Sequence, residues 1–184
     1  MTASKATSDQ KAATRERAVA DAVDTAWKIH AAQVDWTGKV DGKAVFAFGI
    51  QSAGLGLVVT LSSTDRLFSE LNNTFSFVGY YLGIATLLLG ATSALFVVKP
   101  RLRSRVAEQE AKNAYVYFGH LRHWTAENLA SRLRNQNDLL GVLAAQCVTM
   151  AKISWRKHRL VQLSMLSGAF GIGLLVLTGL YLAR

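Results

Sequence analysis

The sequence predicts an all-α integral membrane protein with three transmembrane helices and a helical cytoplasmic region. Three observations carry that expectation. Three long windows, 44–64, 71–98 and 160–183, contain no Asp, Glu, Lys or Arg. Each is long enough to cross a bilayer core, which takes roughly 20 helical residues, and a buried helix of a soluble protein rarely lacks charge for so long. Composition agrees: 51% of the 184 residues are hydrophobic and 18% are charged, yet the formal net charge is +9. Finally, that charge is partitioned. Segment 99–159 carries twelve Lys/Arg against four Asp/Glu, whereas 1–43 is nearly balanced and the short connector 63–75 is slightly acidic. Disorder is excluded by the apolar content, a disulfide scaffold by the single Cys147, and a collagen-like chain by 14 Gly without a period and one Pro.

Taken in order, residues 1–40 form a cytoplasmic tail and amphipathic helix. Residues 1–9 are small and polar and are expected to be disordered. From about Gln10, Val19, Val23, Ala26, Trp27 and His30 recur at helical spacing with most charges elsewhere. Gly38 and Gly42 are expected to bend the chain before the first span. Residues 41–98 form a transmembrane hairpin with spans near 44–62 and 76–98. The run Asn72-Asn73-Thr74 reads as a glycosylation acceptor, to which no weight is given. Pro100 ends the second span, and 99–159 is a basic helical region. Within it 101–114 reads as helix, and Tyr115 to Leu121 as an extended piece or tight turn. Thr125 reads as a helix start, and Asp138 as the cap of a helix that continues into the last span. That final helix, from about 138 to 183, would be about 70 Å long. Residues 160–184 carry the C-terminal span. Basic residues beside the spans, among them Lys99, Lys152, Arg156 and Lys157, place the N-terminus and 99–159 in the cytoplasm and Arg184 outside, by the positive-inside rule. No signal peptide or lipidation motif is expected, because the first apolar run begins after more than forty residues.

Several short motifs add up to a family likeness. Asp41-Gly42-Lys43 heads the first span. Tyr117-Phe118-Gly119-His120-Leu121, Glu127-Asn128-Leu129, Leu143-Ala144-Ala145-Gln146 and Ala151-Lys152-Ile153 follow the second, and Arg156-Lys157-His158-Arg159 leads into the last. Over about 41–183 the chain resembles the membrane-effector family of the Pycsar antiphage systems (PycTM-like proteins). It departs from the family pattern at His158, where an aromatic residue is common, and at His120, where an acidic one is. The resemblance implies a bacterial defence effector of the inner membrane. A partner pyrimidine nucleotide cyclase makes cUMP or cCMP on phage infection, and the effector senses it and impairs membrane integrity, causing abortive infection. A homo-oligomer, contact with membrane lipid and no nucleic-acid polymer are expected with it, and no cofactor beyond that ligand. The alternative is a membrane scaffold or small channel subunit whose basic region binds lipid or a protein partner.

The candidate residues follow. Arg122, Arg132 and Arg134 lie away from both membrane junctions, and guanidinium groups suit a phosphate; Tyr117, Phe118, His123 and Trp124 are aromatic surfaces for a base. The plainer reading of the basic region is topology and lipid headgroups. Asp41, Lys43 and Lys157 stand at the membrane boundary. For Asp41 and Lys43 the reading favoured over an ion pair or ligand contact is a helix cap plus a lysine reaching to the interface. Gly79, Gly83 and Gly90 with Ala94 mark a small-residue packing face on the second span, and Gly49, Ala53 and Gly56 suggest another on the first; such faces serve contacts between copies or packing within one subunit's own hairpin alike. Gln51 is expected to bond to a neighbouring helix. His120 and His123 are too few for a metal site, and Cys147 reads as an inert core residue. No catalytic signature is present, and no charge lies inside a span, which argues against a proton pump or charged filter.

Overall fold

A membrane interior satisfies no stray backbone polar group, so apolar spans adopt helix, and helix dominates this chain. The computed structural model describes residues 2–63, 65–69, 71–100, 111, 114–135 and 138–184. Among them are five helices and no strand: α1 Thr2–Leu61, α2 Thr74–Val98, α3 Phe118–Leu121, α4 Ala126–Arg134 and α5 Leu139–Leu182. α1, α2 and α5 are long and apolar enough to cross a membrane. The predicted segment 101–114, with Arg101, Arg103 and Arg105, lies mostly outside the described residues.

Two expectations about α1 are corrected. It begins at Thr2, so the polar start belongs to the helix, as its alanines and long polar side chains permit. It also passes Gly38 and Gly42 without interruption. One glycine costs a helix about 1 kcal/mol but leaves its hydrogen-bond ladder intact. At the other end of the chain, Asp138 caps α5 as expected, its Oδ1 accepting from Gly141 N at 2.9 Å.

The chain divides into two units. One comprises 1–36 and 101–154. In it α1 meets α5 through Gln33 Nε2, which donates to the Cys147 carbonyl at 3.1 Å, with Ala26 and Leu143 buried. The amphipathic stripe is narrower than predicted: Val19 and Trp27 are exposed, while Ala26 and Gln33 face inward.

The second unit comprises 37–100 and 155–184. Its three helices bury positions that step alternately by three and four residues. They are Val40, Ala44, Ala47 and Gln51 on α1, Gly83, Leu87, Gly90, Ala94 and Val97 on α2, and Val161, Ser164, Gly168, Gly171, Leu175 and Thr178 on α5. A seven-residue repeat of this kind keeps one seam of each helix facing its partners. The outward positions between, such as Phe46, Val59, Leu88, Leu166 and Leu177, are large, apolar and exposed. An interior of small residues and an exterior of large ones is the arrangement expected where lipid, not water, surrounds the helices.

The connector between α1 and α2 folds back on itself. Phe68 N donates to the Leu61 carbonyl at 2.8 Å, and Asp65 takes a left-handed backbone with φ 61°. Asn73 then caps α2: its side chain accepts from Ser76 N at 2.9 Å while Ser76 Oγ accepts from Asn73 N. The Asn-Asn-Thr run therefore has a structural role as a helix start.

Candidate functional site

Within the first unit, the residues from Tyr115 to Trp124 form a nest of rings around a single helical turn. Tyr117 precedes α3, and its ring lies across Gly119, where a Cβ would come within 2.9 Å of Tyr117 Cδ1. Glycine is what lets this ring fold over its own turn. Phe118 meets Tyr117 at a centroid distance of 4.5 Å, and His120 stands edge-on to Tyr117 at 5.3 Å. Tyr115 and Trp124 pair edge-on at 6.3 Å. The stretch predicted as extended or tightly turned thus contains one turn of helix.

Polar groups sit beside the rings. Arg122 Nε donates to His123 Nε2 at 3.0 Å. That bond needs a His123 nitrogen without a proton. Trp124 Nε1 is buried and has no hydrogen-bond partner among the described residues, although a buried indole N–H ordinarily finds one. Phe118, Arg122 and His123 are exposed, so the rings and the guanidinium reach the surface. Tyr117, Phe118, Arg122, His123 and Trp124 therefore lie on one short stretch, in which Tyr117 packs on Phe118 and buried His120, Tyr115 pairs with Trp124, and Arg122 bonds to His123. Tyr115 was passed over in the sequence because nothing there distinguishes it from a core tyrosine.

Arg132 and Arg134 stand elsewhere on α4, in its last turn. Thr125 caps that helix by accepting from Asn128 N at 3.3 Å, so Arg132 lies about 10 Å farther along the axis. Glu127 in the first turn and the two arginines in the last complement the helix dipole. They hold no ion pair among the described residues. Among those residues no three His, Cys, Asp or Glu side chains gather in a manner fit for a metal.

The membrane-spanning unit holds two polar contacts. Lys157 Nζ reaches both oxygens of Asp41, at 2.6 and 2.7 Å. Asp41 lies inside α1, so the favoured helix-cap reading is replaced by an ion pair across 116 residues of sequence. Lys43, two residues on, is exposed. Deeper in the unit, Gln51 Nε2 donates to the Ser164 carbonyl at 2.9 Å and contacts Ser164 Oγ at 3.2 Å. Gln51 is the interhelical bond expected of it. Its Oε1 has no conventional donor and lies instead against Gly90, where a Cβ would stand 2.8 Å away. Ser164 O and Ser167 Oγ approach the same point at 2.9 Å, leaving the Gly90 Cα–H facing three oxygens, a recurrent weak contact at close helix crossings.

Gly79 and Gly83 face α5 in the same way: a Cβ at Gly83 would meet Leu175 Cγ at 2.7 Å, and one at Gly79 would overlap Thr178 Oγ1. The small-residue face expected on the first span takes no part in packing within the chain. Gly49 and Gly56 have nothing within 4 Å of a built Cβ, and Ala53 is exposed; α1 packs through Ala44, Ala47 and Gln51. In a span apolar on every side, small residues alone do not reveal which side is inward.

Residues 25–184 match the Pycsar effector protein domain, PycTM. The chain belongs to this family. No curated protein and no solved structure matches it. The match covers the membrane-crossing helices and the ring cluster of this Pycsar effector alike, and the family is one of membrane effectors linked to cyclic-nucleotide signalling from a cyclase.

Proposed function

We propose that this Pycsar effector senses a cyclic pyrimidine mononucleotide, cUMP or cCMP, and responds by impairing the bacterial inner membrane, so that an infected cell stops growing before phage mature. Family membership carries the reading. The ring cluster supports it: Tyr117 and Phe118 offer faces for a pyrimidine and Arg122 a charge-assisted donor for a cyclic phosphate, while Trp124 Nε1, buried without a partner, is a donor that a rearrangement of the stretch on binding would bring to an acceptor. Arg132 and Arg134 serve the same anion only if the ligand spans from α3 to the end of α4; otherwise their work is done at the helix dipole.

The response needs no transport chemistry, and the spans contain none. α1 and α5 each contribute residues to both units. A ligand that favours one arrangement of these helices over another shifts their equilibrium. A near-complete switch requires it to bind the favoured arrangement about 10⁴-fold more tightly. The cytoplasmic placement of the ring cluster follows from the basic residues beside the spans, and self-association through the spans is part of the proposal.

Calorimetric titration of the purified protein in nanodiscs tests the sensing step. Saturable binding of cUMP or cCMP, weakened tenfold or more by Arg122→Ala, is expected, with no binding of the purine counterparts. If neither pyrimidine binds, the sensing proposal fails. Unchanged affinity in Arg122→Ala, Arg132→Ala and Arg134→Ala together removes the assignment of these residues.

A further inference from the structure

The connector end of the membrane-spanning unit carries a feature that nucleotide sensing does not use. A groove of about 330 Å³ opens there, lined among others by Gly54, Leu57, Phe68, Leu87, Leu175 and Gly179. Its size falls at the lower end of ligand-binding clefts, and its wall is almost wholly apolar. Two missing side chains make the room. A Cβ at Gly54 would touch only Leu87 Cδ1, at 3.8 Å, and one at Gly179 would meet Leu67 Cδ2 at 3.0 Å.

Two further observations bear on what would occupy it. Tyrosines and their partners ring this end of the helices. Asn73 Nδ2 donates to Tyr181 OH at 2.8 Å, Ser62 Oγ and Tyr80 OH share a hydrogen bond of 2.7 Å, and Phe68 packs on Tyr80 at 5.3 Å. Such a belt marks the headgroup level of a bilayer. Two arginines also flank the lining in sequence, Arg66 beside Asp65 in the slightly acidic connector and Arg184 just beyond the end of α5. Arg66 precedes Leu67 and Arg184 follows Ala183, both lining residues, so each cation is rooted one residue, about 3.8 Å of backbone, from the wall.

We propose that the groove is a binding site for a single membrane phospholipid, one acyl chain lying against Gly54 and Gly179 and the phosphate held by Arg66, with Arg184 as a second cation. The chain leaves one apolar medium for another and gains little by the transfer. Selectivity therefore resides in the phosphate, and a basic residue at the headgroup level supplies about a fivefold preference.

The test is native mass spectrometry of the full chain, delipidated in mild detergent and titrated with dioleoyl phosphatidylglycerol or with dioleoylglycerol, which has the same chains and no phosphate. One phosphatidylglycerol is retained, at least fivefold more tightly than dioleoylglycerol. Arg66→Gln, at an exposed position, removes most of that preference, and Gly54→Leu, which fills the groove, abolishes binding of both. Equal retention of the two lipids, an unchanged preference in Arg66→Gln or unchanged binding in Gly54→Leu overturns the proposal. So does a dimer that excess lipid does not displace, because a second copy then fills the groove.

Discussion

Replacing Gly90 by alanine places a methyl group where three oxygens already converge. The new carbon would stand 2.8 Å from Gln51 Oε1 and 2.9 Å from Ser164 O and Ser167 Oγ. Carbon–oxygen contacts settle near 3.4 Å, so α2 and α5 must separate by about 0.5 Å or Gln51 must leave its bond. Overpacking of this kind costs about 1–3 kcal/mol, offset in part by the roughly 0.5–1 kcal/mol that alanine gains over glycine in a helix. The expected net loss lies between about 0 and 2.5 kcal/mol, centred on about 1 kcal/mol. Gly49→Ala is the matched control, since nothing lies within 4 Å of its Cβ; only the propensity gain of about 0.5–1 kcal/mol applies. Thermal unfolding in detergent, followed by tryptophan fluorescence, then shows the two variants moving in opposite directions, with melting temperatures several degrees apart. A Gly49→Ala variant as destabilised as Gly90→Ala would refute the assignment of the inward seam.

Three more outcomes are expected. In a double-mutant cycle of Asp41→Asn and Lys157→Met, the half-exposed pair, with side chains 36% and 20% accessible, yields a coupling energy of about 1 kcal/mol; zero coupling in chemical denaturation removes its structural role. Gln51→Met costs less than about 1 kcal/mol in the same assay, because it removes a modest intramembrane hydrogen bond and an unpaired oxygen together; a loss of several kcal/mol shows that Gln51 has a partner not identified above. Trp124→Phe keeps a ring against Tyr115 and loses no hydrogen bond, so the ligand-free melting temperature falls by no more than a few degrees, yet nucleotide affinity weakens about tenfold by calorimetry. Destabilisation of the free protein with unaltered affinity assigns Trp124 to the core alone.

The spans were legible because lipid forbids charge: 44–62, 76–98 and 160–183 agree at their connector-side and C-terminal ends with α1, α2 and α5. Their inward faces were legible only where polarity or helix-to-helix context marked them. Gln51 announced its side of α1, and Gly79, Gly83 and Gly90 fell on one seam of α2, but Gly49, Ala53 and Gly56 lie on the face of α1 that the other two spans do not cover, and with both faces apolar the sequence did not separate a contact within the chain from one between copies. The Asp41–Lys157 pair was hidden by 116 residues of separation, and local capping chemistry offered Asp41 a simpler role. In the basic region, residue type alone suggested five members of the ring cluster. It did not disclose that Arg122 bonds to its neighbour His123, that Trp124 hides an unpartnered N–H, or that Arg132 and Arg134 stand a helix length away.

The most direct test of the account is dye release from liposomes containing the purified protein at fixed density. Addition of cUMP or cCMP on the side bearing residues 115–124 is predicted to trigger release within minutes, with the purine cyclic nucleotides inert and Arg122→Ala shifted to higher nucleotide concentration. Intact liposomes at saturating cUMP and cCMP, or steady ion-selective leakage that ignores both, would contradict it.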